Sequence, residues 1–136
     1  MLSSCNQRTL YFEDGSRRSS GSASRTSGLE EGTWSTWYPN GERRESGEFR
    51  AGQRVGIWTQ WYPDGQRRSR GERVWQPAHH ASPRSGSWTF WHVNGEVLAH
   101  GVYRDGQREG HWDYSLEDGT LDGDHTGEYH DDRKLD

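Results

Sequence analysis

The stretch GIWTQWYPDGQRRSRGE, residues 56 to 72, repeats GTWSTWYPNGERRESGE, residues 32 to 48, at ten of seventeen positions and an offset of 24 residues. In the later copy the run from Trp58 to Tyr62 is aromatic and β-branched, Pro63-Asp64-Gly65 breaks it, and a polar run leads on to Gly71-Glu72. That order predicts a strand, a tight turn and a return strand. Asn or Asp before Gly is expected to supply the positive φ of the turn, as in Asn40-Gly41, Asp64-Gly65, Asn94-Gly95 and Asp118-Gly119, with Asp14-Gly15 in the first unit. Ala51-Gly52 and Asp105-Gly106 mark the opposite turns. Helix is unfavourable, because glycine recurs too often and no apolar stripe of period 3.6 is present.

Working outward, the turn glycines Gly15, Gly41, Gly65, Gly95 and Gly119 are spaced by 26, 24, 30 and 24 residues, so the unit is written about five times. Two Ser-, Gly- and Pro-rich stretches, residues 19–28 and 74–85, read as loop insertions that lengthen the irregular steps. The expected organisation is a flexible segment over 1–9, a β-hairpin repeat domain over 10–129 and an acidic tail over 130–136. The fold class is all-β, an elongated single-layer antiparallel sheet of about five tandem hairpins.

Composition alone points the other way. Ile, Leu, Val and Phe total only 16 of 136 residues, and mean hydropathy is −1.29, values typical of disorder. The eight tryptophans resolve the conflict, because Trp34, Trp58, Trp88 and Trp112 each stand two residues after a glycine. Side chains alternate across a strand, which places these four on one face, with Tyr38, Tyr62 and His92, and turns Trp37, Trp61 and Trp91 to the other. In register, the first set is expected to form a ladder of rings burying one another, each removing about 150–250 Å² from water. Stability would then come from contacts between neighbouring units rather than a globular core.

The phrase G-x-W-x-x-W-Y-x-[ND]-G, with a glycine six residues further on, resembles the MORN repeat, in the bacterial variant known as the YwqK-type antitoxin family. The resemblance spans residues 10 to 129, is strongest in the units beginning at Gly32, Gly56 and Gly86, and is weakest in the first, where Tyr11-Phe12-Glu13-Asp14-Gly15 and Gly21 match. It implies stacked hairpins in a twisted antiparallel sheet, and a binding scaffold. Ser115 departs from it in place of the second Trp, as do Arg17, Arg43 and Arg67 in place of apolar residues of the Val97 and Leu121 type.

Those arginines recur as Arg17-Arg18, Arg43-Arg44 and Arg67-Arg68, whereas residues 117 to 136 hold eight acids against two bases. The net charge of −4 thus conceals a basic body and an acidic end. Three readings compete for Arg43, Arg44, Arg67 and Arg68: a solvated face with Arg stems along Trp rings, a docking stripe for an acidic protein or for self-association, and an anionic surface. A pI near 6.0 disfavours nucleic acid. With Trp37, Trp61 and Trp91 they are the candidate partner-binding residues; Trp34, Trp58, Trp88, Trp112, Gly41, Gly65, Gly95 and Gly119 are structural. The alternative reading is a cell-wall, glycan or choline-binding module in which Trp37, Trp61 and Trp91 form an exposed platform.

No nucleophile has a histidine and an orienting acid at interpretable spacing, so no catalytic residues and no cofactor are expected. The loop pair His79-His80 reads as solvent-exposed, and the acidic end, tested as a Ca²⁺ loop from Asp122, places Arg133 where the bidentate Glu belongs, so no metal is expected. Leu2-Ser3-Ser4-Cys5 resembles a lipobox that lacks its preceding apolar segment. As a chance match it leaves a cytoplasmic protein; with a misassigned start, Cys5 becomes a lipidation site and the protein is anchored in the bacterial envelope. The chain is read as a non-enzymatic scaffold for an unidentified protein partner, touching a membrane only through a lipidated Cys5 or the arginine stripe.

Overall fold

A computed structural model describes residues 4–135; Met1, Leu2 and Ser3 of the lipobox match, and Asp136, lie outside the described residues. The chain forms β1 (Cys5–Tyr11), β2 (Arg17–Ser24), β3 (Glu30–Trp37), β4 (Arg43–Arg50), β5 (Gln53–Trp61), β6 (Arg67–Arg73), β7 (Arg84–Trp91), β8 (Val97–Arg104), β9 (Gln107–Tyr114), β10 (Gly127–His130) and β11 (Arg133–Lys134). These eleven strands make one open sheet in sequence order, each antiparallel to the next. The expected tandem-hairpin architecture holds. Among the described residues no helix is long and apolar enough to cross a membrane.

Three boundaries differ from the sequence reading. Residues 19–28 are not an insertion: Arg17–Ser24 is a strand, and only the turn after it is longer. Its serines stand where a strand needs small side chains, with Ala23 buried against the sheet. The sheet also starts at Cys5, not at residue 10, and the supposed acidic tail carries β11, paired through His130 to Arg133 and Tyr129 to Lys134. The insertion at 74–85 does leave the sheet, folding into a 3₁₀ turn at Pro77–His79, but β7 has resumed by Arg84.

The turns also work differently from the expectation. Gly15, Gly41, Gly65, Gly95 and Gly119 carry the positive φ of 84–93°, while the preceding Asn or Asp does not. Its side chain instead accepts the backbone N–H two residues on, as in Asn40 Oδ1 with Glu42 and Asp64 Oδ1 with Gln66. Where Asn occupies the position it also reaches the next unit, Asn40 Nδ2 donating to Pro63 O and Asn94 Nδ2 to Glu117 O. The turns with two consecutive positive φ values are the opposite ones, Ala51-Gly52, Asp105-Gly106 and Asp131-Asp132.

Among the described residues, the indoles of successive units do not stack on one another. Each of Trp34, Trp58, Trp88 and Trp112 lies flat over the glycine of the preceding strand, respectively Gly21, Gly47, Gly71 and Gly101, so close that a Cβ there would fall 2.1–2.2 Å from the indole. The missing side chain is what lets the ring settle on the backbone. Two residues beyond each glycine comes a second seam position, filled by Ala23, Phe49, Arg73 and Tyr103, with Tyr129 after Gly127. Its aromatic members meet the indoles edge-on, Phe49 at 6.1 and 5.1 Å from Trp34 and Trp58, and Tyr103 at 6.2 and 5.0 Å from Trp88 and Trp112. The main apolar cluster sits toward the C-terminal end, on Trp88, Ala99, Trp112 and Tyr129.

Two hydroxyls and an imidazole stitch the units at the other end of the strands. Tyr38 Oη donates to Trp61 O at 2.6 Å, Tyr62 Oη to Trp91 O at 2.6 Å, and His92 Nε2 lies 2.7 Å from Ser115 O.

Candidate functional site

The two arginines of each repeated pair stand at the start of β2, β4 and β6, immediately after the turn. Alternate strands of a sheet are separated by about 10 Å, so the pairs recur at that interval along the sheet. All six side chains are exposed. Among the described residues none of them lies within salt-bridge distance of a carboxylate, although other arginines of the chain do.

The first arginine of each pair is spent on an indole. Arg17 lies over Trp37 at 4.5 Å, Arg43 over Trp61 at 4.7 Å and Arg67 over Trp91 at 4.7 Å, each crossing to the unit that follows. Trp37, Trp61 and Trp91 are therefore half-buried rather than an exposed row, because a guanidinium covers one face of each ring. Contacts of this kind are worth about 0.5–1 kcal/mol at exposed sites. The second arginine is freer: Arg44 Nε reaches Thr36 Oγ1 at only 3.5 Å, and Arg68 stands 5.7 Å from the Tyr62 ring.

Two hollows lie along these second arginines. One of about 480 Å³ is lined by Arg18, Thr36, Trp37, Tyr38, Pro39 and Arg44 among others, and the next, about 450 Å³, by Tyr38, Arg44, Glu45, Gln60, Trp61 and Arg68 with Arg54. Tyr38 and Arg44 are common to both, so they form one polar trough crossing the strands. A larger cleft of about 620 Å³ lies near the insertion, where Val55, Val74 and Trp75 meet Glu48, Arg50 and Glu72.

The acidic end is occupied with its own chain. Asp132 holds Arg108 and is depressed below the usual carboxylate range chiefly by that bond. His111 bridges Asp113 and Glu128 at 2.9 and 3.0 Å, and His130 reaches Glu109 at 2.9 Å. Glu109, His130 and Asp131 come together closely enough to hold an ion, but Arg104 lies 3.4 Å from Glu109, so a guanidinium already stands at this carboxylate. His79 and His80 are exposed in the insertion, and Cys5 is half-buried at the head of β1.

Sequence reasoning missed a third set of arginines. Arg54, Arg84 and Arg108 each stand two residues before the bulge glycines Gly56, Gly86 and Gly110. Arg54 lies 4.3 Å over Trp58, Arg84 lies 5.1–5.5 Å from Trp88, Phe90 and Tyr103, and Arg108 lies 4.3 Å over Tyr129. Their spacing of 30 and 24 residues, the same as that of the glycines, was the available signal.

A search of curated proteins finds no match to the chain. A family profile described as "MORN repeat variant" matches residues 30–51 and 54–73, the hairpins β3–β4 and β5–β6. These two adjacent units, which carry Trp37, Arg43, Arg44, Trp61, Arg67 and Arg68, are similar to MORN repeats, and they stand within a sheet of tandem hairpins.

Proposed function

We propose that the chain is a non-enzymatic docking scaffold whose trough along Arg18, Arg44 and Arg68 receives an extended acidic segment of a partner protein. The observation that carries this reading is a run of exposed arginines without carboxylate partners, repeated at the sheet's own interval of about 10 Å. A chain in the extended polyproline II conformation advances about 3.1 Å per residue and returns every third side chain to the same side, so acids three residues apart match that interval. The acidic end of the chain itself is a poor occupant, since Asp122, Glu128, Asp131 and Asp132 already have partners. An antitoxin-like role would be one instance, with a toxin as the acidic partner. The cell-wall or choline reading gains no support, because the place a quaternary ammonium would take over Trp37, Trp61 and Trp91 is filled by Arg17, Arg43 and Arg67.

The test is fluorescence anisotropy with a labelled nonapeptide carrying Asp at positions 1, 4 and 7, against an isomer with the same three Asp adjacent. The spaced peptide should bind at least about tenfold more tightly. Replacing Arg44 and Arg68 by Glu should remove that preference while the far-UV spectrum stays unchanged. Equal binding of both peptides sinks the spacing argument. Binding to phosphatidylserine vesicles with no peptide binding would replace a protein partner by a membrane.

A further inference from the structure

The seam has one position that breaks its own rule. Where Phe49 and Tyr103 meet the indoles of adjacent units, Arg73 stands instead, and its cross-strand partner in β7 is Arg84. Like charges directly opposed across two strands destabilise a sheet. Both side chains are half-buried, and the Nε atom of each is fully enclosed and donates to no acceptor in the protein. Arg54 approaches from β5, making three guanidinium groups around Trp58 and Trp88.

The only carboxylate among the seam residues here is Glu45. Arg54 Nη1 takes one of its oxygens at 2.8 Å and Gln60 Nε2 the other at 2.8 Å. Counting Arg54, Arg73 and Arg84 as +3 and Glu45 as −1 leaves +2. Burial holds the Arg73 guanidinium below its ordinary value, and the charges of Arg84 and Arg54 add to that effect. The rings of Trp88, Phe90 and Tyr103 offset part of the charge on Arg84, and the Tyr103 hydroxyl accepts from its guanidinium, but its Nε–H stays without an acceptor. Arg73 Nη1 does reach Ser82 O at 2.9 Å, which fixes its head and leaves its Nε–H unspent.

Between the two arginines lies a small cavity of about 10 Å³, lined by Glu45, Trp58, Gln60, Ser69, Arg73, Arg84 and Trp88. It has room for one water-sized particle. A carboxylate or phosphate is too large. A water would serve the enclosed N–H groups but leave two like charges facing each other, whereas an anion would serve the same groups and offset that repulsion.

We propose that the cavity between Arg73 and Arg84 binds a single monoatomic anion, chloride in ordinary salt, which joins the first three hairpins to the last two. The site lies on the seam and borders the arginine trough, sharing Glu45 and Gln60 with its second hollow, but it does not depend on the docking reading.

The experiment is thermal unfolding of the full chain, followed by near-UV circular dichroism, in sodium gluconate with increasing replacement by chloride or bromide at constant ionic strength. The midpoint should rise by about 3–6 °C for each tenfold increase of halide beyond saturation onset. In R73F, which supplies the residue type that Phe49 provides at the equivalent position, the protein should fold and the halide dependence should vanish. A midpoint indifferent to chloride in the unaltered protein, or the same dependence in R73F, overturns the proposal. Should R73F not fold, crystals grown in bromide decide: an anomalous peak within hydrogen-bond reach of Arg73 Nε and Arg84 Nε supports it, and the lack of one ends it.

Discussion

The indole of Trp112, wholly removed from solvent, rests on the backbone of Gly101, where a Cβ would stand 2.2 Å from Cδ2 of the ring. Neither residue can change without the other. G101A should cost at least about 3 kcal/mol in urea unfolding, because backbone on one side and a packed ring on the other leave nowhere to relax. G123A, where an added Cβ would meet nothing within 4 Å, should move stability by less than about 0.5 kcal/mol. Comparable losses in the two variants would deny the glycine–indole seam its role.

Deleting the ring should be as damaging as crowding it. W112A should lose about 3–5 kcal/mol, while W37A, at a half-buried ring sheltered mainly by Arg17, should lose less than half as much. Chemical denaturation of the pair measures the contrast, and a reversed order would mean that the two faces of the sheet have been assigned the wrong way round.

Removal of one atom tests the stitching between units. Y62F loses the hydrogen bond to Trp91 O and should destabilise by about 1 kcal/mol. The amide exchange of β7 should quicken along with that of β5. Exchange unchanged in β7 would show that the hydroxyl does not hold the neighbouring unit.

The C-terminal edge should respond to pH from both sides. His111, chiefly through its bond to Asp113 and then Glu128, and His130, chiefly through Glu109, titrate above their ordinary values. Their contribution is therefore complete below about pH 6.5 and is lost as pH rises through the raised folded values. Glu109, held low chiefly by His130, and Asp132, held low chiefly by Arg108, contribute above about pH 4 and lose that contribution as pH falls through their depressed values. NMR titration of the His130 ring should give a midpoint above 6.5 that returns toward it in E109Q. A His130 midpoint at or below 6.5 contradicts the arrangement.

Much of this molecule could be read from one repeated phrase, since Gly56, Trp58, Gly65 and Gly71 recur with the same chemistry in each full unit and a period of that kind leaves few folds open. What escaped was carried by positions whose residue type changes. Ala23, Phe49, Arg73, Tyr103 and Tyr129 share one seat in the seam but no property a pattern could hold constant. Arg54, Arg84 and Arg108 were hidden by abundance, among sixteen arginines of which the adjacent pairs drew attention. Strand β2 was mistaken for a loop because serine and glycine usually signal turns, yet next to the ring of Trp34 a small side chain is what packs. The acids after residue 117 read as a tail because His111 and Arg108, which hold Glu128 and Asp132, are distant in sequence.

The Arg73–Arg84 step has a mechanical meaning. On either side of it, rings meet edge to face from strand to strand; at that step two cations face each other across the ladder. A tensile load drawn along the sheet would part it there first, into a block of six strands and a block of five, with the anion acting as the bolt of the joint.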